Sequence, residues 1–157
     1  SVGTDADIKV IKSKMENAIL EPVIVLVAWT LVIFVWMMST RLPYLMKNNI
    51  SAQELQNASD VAVKLPGKER RVSDNYNHLH EQPTLFYALA IALALAGTAG
   101  TSQILLAWVY VASRVIHSII QCTYNSVMHR FLLFFVGSAA LVGMVAIEIA
   151  SWISVTG

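Results

Sequence analysis

The sequence predicts an all-α integral membrane protein, a four-helix up-down antiparallel bundle. Three observations lead there. Of 157 residues, 56% are hydrophobic and 13% are charged, against about a quarter charged in ordinary soluble chains. The apolar residues gather into four stretches of about 17–25 residues, each long enough to cross roughly 30 Å of hydrocarbon. One long and two short connections join them, and short connections force neighbours to run in opposite directions. A single domain over residues 1–157 is expected.

The first span covers about residues 19–39, after a polar segment in which Ile8, Ile11 and Met15 recur at the spacing of a short interfacial helix. It is longer than a signal-peptide core and lacks an A-x-A-type cleavage pattern, so it reads as a retained helix. Pro22 lies in its opening turns, where a missing N–H costs little. A long loop, about 40–76, follows. In it Ser51–Glu54 has capping-box spacing and Pro66-Gly67 marks a turn. The second span, about 77–99, exits at Gly97 and Gly100; a short turn leads to the third, about 102–125, and the fourth runs about 130–153.

The long loop holds Arg41, Lys47, Lys64, Lys68, Arg70 and Arg71, whereas the turn between the second and third spans and the C-terminus hold no Lys or Arg. The positive-inside rule then places this loop in the cytoplasm and both termini on the opposite side. The opposing Lys9, Lys12 and Lys14 are outnumbered and partly balanced by Asp5, Asp7 and Glu16. A net charge of +1 and no basic run interleaved with aromatics give no pull toward nucleic acid.

The third span carries the main anomaly. Arginine in a membrane helix costs about 2.5–3.5 kcal/mol on insertion scales, so it faces a partner, a cavity or an anion. Arg114, His117, Gln121, Tyr124 and Met128 recur at spacings of three, four, three and four residues, along one helix face. This polar stripe has two readings, an interhelical hydrogen-bonded clamp or a binding site. The antiparallel order brings the end of span one, the start of span two, the second half of span three and the start of span four to one depth. Arg41, Asn77, His80, Glu81, Arg114, His117, Gln121 and Arg130 share it. Three arginines with amide, imidazole and carboxylate groups suit a small polyanion that also carries an ammonium group. Glu148, 18 residues beyond Arg130 on the fourth span, falls about 27 Å away and is expected as an interfacial or snorkelling residue, with an interhelical role as the lesser alternative.

No metal site is expected. His78 and His80 point to different helix faces, and His117 and His129 form no His-x3-His pair. The single Cys122 rules out an intrachain disulfide, and no G-x-S-x-G elbow suggests a serine hydrolase.

Asn77–Pro83 (NHLHEQP) and Arg114–Gln121 (RVIHSIIQ), followed by Arg130, resemble motifs of the membrane-associated proteins in eicosanoid and glutathione metabolism, the MAPEG family. The resemblance covers most of the chain. It implies a homotrimer that binds glutathione, as co-substrate, between adjacent subunits in the cytoplasmic half of the membrane. A lipid-exposed groove would take a hydrophobic second substrate.

By the same resemblance Asn77, Arg114, His117 and, less directly, Arg41 contact glutathione, and Arg130 activates its thiol. A guanidinium beside a thiol in a poorly hydrated site favours the thiolate, which is the nucleophile. The expected function is a glutathione-dependent transferase or peroxidase acting on hydrophobic electrophiles. The alternative is a non-catalytic, lipid-binding scaffold or accessory subunit of a larger membrane complex. His80 stands where the family usually has a carboxylate, which is next door at Glu81. Gln121 replaces a common tyrosine, and Phe131 and Phe134 follow Arg130 where some members carry hydroxyl-bearing residues.

Overall fold

The computed structural model describes residues 7, 17–55, 57, 60 and 63–156. The interfacial helix expected around Ile8, Ile11 and Met15 lies outside them. Among the described residues every long element is helical: α1 (Leu20–Lys47), α2 (Gly67–His78), α3 (Pro83–Ala96), α4 (Thr101–Cys122) and α5 (Val127–Thr156). Three helices among the described residues, α1, α4 and α5, are long and apolar enough to cross a membrane. Their outward faces carry bare Ile24, Leu31, Val35, Leu105, Val142 and Ile153. Such surface is stable only against lipid or a neighbouring apolar chain.

The second apolar stretch is the point of difference. An uninterrupted helix from Asn77 is not formed; α2 runs in from the loop and α3 begins anew at Pro83. Fourteen residues of α3 give about 21 Å of rise, short of the hydrocarbon thickness. The break has a local cause. Pro83 lacks an N–H and its ring excludes a helical carbonyl four residues back, so the intervening amides bond three residues back instead. His80 N–H donates to the Asn77 carbonyl (2.9 Å) and Leu85 N–H to that of Gln82 (3.0 Å).

Elsewhere local signals act as expected. In Ser51–Glu54 the Ser51 N–H donates to the Glu54 carboxylate (3.1 Å) and the Gln53 N–H to Ser51 Oγ (3.1 Å), opening a short 3-10 turn at Ala52–Leu55. Lys64, hydrogen-bonded to Glu54, together with the Ser51 N–H holds that carboxyl below the usual carboxylate range. Pro66 is the extended residue that starts α2. Gly97 ends α3 with φ 66°, a left-handed conformation that glycine adopts without Cβ strain.

The core runs along the α4–α5 seam. Gln103 pairs with Glu148, Gly137 lies against Ser113, and His117 meets Arg130, so rising numbers on α4 meet falling numbers on α5. The pair is antiparallel. Phe86 of α3 stacks on Tyr110 of α4, with ring centroids 4.6 Å apart. Ile33 and Met37 of α1, with Val72 of α2, are buried in the same core.

Gly137 sets the seam's closeness. A Cβ there would lie 2.6 Å from the Ser113 hydroxyl, which donates to the Tyr110 carbonyl at 2.7 Å. Gly137→Ala is expected to cost about 1–3 kcal/mol by overpacking. Ser113→Ala in the same chain removes the clashing oxygen and should restore most of the loss, as read by denaturant unfolding in micelles.

Glu148 does not extend outward. It is buried, and its carboxylate accepts from Thr98 Oγ1 (3.1 Å), Gln103 Nε2 (3.2 Å) and Trp152 Nε1 (2.8 Å). The lesser, interhelical expectation is the one met, because donors from the α3–α4 turn, α4 and α5 itself converge on the carboxylate.

Candidate functional site

The site grows out of the break between α2 and α3. α2 is fixed over the C-terminal end of α4 by two contacts. Arg71 Nη1 donates to the Thr123 carbonyl (2.9 Å), and buried Asn75 Nδ2 donates to Gln121 Oε1 (3.1 Å). Gln82 Nε2 donates to Ser138 Oγ (2.9 Å), tying the start of α3 to α5. Between these attachments a cavity of about 480 Å³ opens. Asp74, His78 and Glu81 form its α2 side, His117 and Gln121 its α4 side, and Val127, Arg130, Phe131 and Phe134 its α5 side.

Four of the residues singled out from sequence, Glu81, His117, Gln121 and Arg130, therefore come together around one cavity. His117 is held at both nitrogens, Nδ1 3.0 Å from the Arg130 carbonyl oxygen and Nε2 3.2 Å from Gln121 Oε1. Arg130 Nε is buried with no hydrogen-bond partner among the described residues. The polar stripe acts as a clamp at Gln121 and reaches the cavity at the same residue. It does not extend to Tyr124 and Met128, because α4 ends at Cys122, Asn125 turns with φ 54°, and both side chains are exposed.

The other four are placed elsewhere. Arg114 is only 2% exposed and lies behind the wall, its guanidinium carbon 5.0 Å from the Phe134 ring centroid and 5.2 Å from that of Tyr110. All three of its guanidinium nitrogens lack a hydrogen-bond partner among the described residues. Cation–π contact with two rings is one interaction that accommodates the charge there. His80 turns away: its Nδ1 lies 2.8 Å from the Tyr76 carbonyl oxygen, and it borders a smaller groove of about 210 Å³ with Val27, Leu79 and Tyr87. Exposed Asn77 and half-exposed Arg41 line neither space.

The break also bears on the carboxylate displaced by one position. On a continuous helix one residue means a turn of about 100°. The chain between α2 and α3 is not continuous helix, and Glu81, not His80, faces the cavity. Sequence reasoning passed over Asp74, Asn75 and His78 as site residues. The available signal was the Asp74, His78, Glu81 spacing, which puts three polar side chains on one side of a helix end.

One guanidinium, two carboxylates, two imidazoles and an amide, with a phenylalanine rim, can hold a small zwitterion and leave one apolar edge. A model of the MAPEG family matches residues 19–150. No curated protein and no solved structure matches the chain.

Proposed function

The chain belongs to the MAPEG family, and on that premise we propose that it is a membrane-bound glutathione-dependent transferase or peroxidase acting on hydrophobic electrophiles. The observation that carries this reading is the cavity shared by Arg130, Glu81, His117 and Gln121. Its volume falls in the range of small-molecule sites, about 300–1,000 Å³. The donor set fits glutathione, which has two carboxylates, one ammonium group and two amides. Asp74 and the free oxygen of Glu81 suit the ammonium, Gln121 suits an amide, and Arg130, with its unpartnered Nε, suits the thiolate or a carboxylate. Bound there, glutathione supplies the nucleophilic sulfur. Arg130 stabilises its negative charge, Phe131 and Phe134 limit hydration, and the lipid phase concentrates the apolar partner.

Arg41, Asn77 and His80 enter this reading through assembly. In a homotrimer, their faces on α1 and α2 have a neighbour's cavity to meet, the arrangement the family resemblance implies. The long loop is then cytoplasmic, with the termini across the membrane.

A second reading, a lipid-binding accessory subunit of a membrane complex, draws on one observation: Arg114, Arg41, Asn77 and His80 are outside the cavity wall. Isothermal titration of glutathione into the protein in nanodiscs separates the two. Saturable binding is expected, weakened when Gln121→Leu removes the amide that faces the cavity. Heats no larger than those of empty nanodiscs would exclude the enzymatic reading and leave the accessory one.

A further inference from the structure

Two histidines line the cavity, and their hydrogen bonding separates their roles. His117 has a protein oxygen beside each ring nitrogen, the Arg130 carbonyl and Gln121 Oε1, and the neutral ring donates to one of them. His78 has one engaged: Nδ1 lies 2.7 Å from Glu81 Oε2, while Nε2 has no partner among the described residues. A carboxylate accepts only, so Nδ1 carries a proton, and in the neutral ring Nε2 keeps a lone pair. The ring lies against Phe134 (6.1 Å) and His117 (5.3 Å) on the wall facing Arg130. This is the arrangement of a carboxylate-oriented imidazole base.

We infer that His78, oriented by Glu81, is the base that takes the thiol proton in this cavity. The inference rests on the glutathione reading above. The step balances simply: the S–H bond breaks, its electron pair stays on sulfur, and the proton forms a bond to His78 Nε2. No oxidant or reductant is needed. Arg130 faces the sulfur's new negative charge, and Glu81 faces the imidazolium's positive one. The charged and titratable groups around His78 are Asp74 and Glu81 beside it, His117 from α4 and Arg130 from α5, with Arg114 of α4 behind Phe134.

The test compares wild type with His78→Gln in nanodiscs, using glutathione and a chromogenic chloronitrobenzene. The variant should still bind glutathione saturably by calorimetry. Its bound glutathione should show little thiolate absorbance at neutral pH, and turnover should fall about 100-fold. The deficit should close as pH approaches the ordinary thiol pKa of about 8.5. Independently of glutathione, ¹⁵N NMR should find His78 as the Nδ1–H tautomer and find that preference lost in Glu81→Gln. Full thiolate absorbance in His78→Gln, a deficit equal at every pH, or an Nε2–H tautomer in wild type would overturn the inference. Absence of glutathione binding to wild type would instead remove the glutathione reading, and this inference with it, a result distinct from binding without proton transfer.

Discussion

Arg130→Ala is expected to lower glutathione-dependent turnover by about 100- to 1,000-fold, the size seen when one preorganised donor to a developing anion is removed. The fold should persist. What His117 uses at this position is the Arg130 carbonyl, a backbone group that alanine retains, and the side-chain Nε has no partner among the described residues to lose. Arg130→Lys should recover only part of the rate, because an ammonium keeps the charge but not the planar pair of donors. The check is kcat against thiolate absorbance in the same samples. The two should fall together if Arg130 acts on the sulfur, and a lost rate with intact thiolate would place its role elsewhere.

The second large effect is on stability. Glu148→Ala leaves Thr98, Gln103 and Trp152 without the shared acceptor that joins the α3–α4 turn to α5. Hydrogen bonds between helices in membranes contribute about 0.6–1.7 kcal/mol each, and two of the three reach Glu148 from outside α5 while the Trp152 bond lies within it, so a loss of about 1–3 kcal/mol is expected. Gln103 spreads the damage, since its Oε1 also accepts the Gly100 N–H (2.8 Å) that opens α4. Glu148→Gln keeps one acceptor oxygen and should cost about half as much. Glutathione affinity should be unchanged, because about 27 Å of helix separates Glu148 from Arg130. Unfolding by denaturant in mixed micelles measures the stability, and calorimetry measures the affinity.

These two residues show what was legible in the sequence. Three of the four expected spans correspond to α1, α4 and α5, because a long apolar run has few other solutions. The Arg114–His117–Gln121 periodicity correctly placed those side chains on one buried face of α4. Which of them reaches a cavity depends on α5. Phe134 covers Arg114 but leaves His117 and Gln121 open, and no feature of the α4 sequence specifies that ring's position. The helix break before Pro83 was marked by the proline itself, yet its consequence, Glu81 inward and His80 outward, follows only from the three-residue turns that precede it. Glu148 looked peripheral because its donors, Thr98, Gln103 and Trp152, come from distant parts of the chain. Family membership rests on the match over residues 19–150, whereas the roles of individual side chains rest on the cavity.

The most direct measurement is an electron cryomicroscopy map of the protein in nanodiscs with glutathione. The proposed function predicts peptide-shaped density in the cavity bounded by Glu81, His117, Gln121 and Arg130, with the sulfur beside Arg130. Acyl-chain density filling that cavity, with glutathione present in excess, would contradict it.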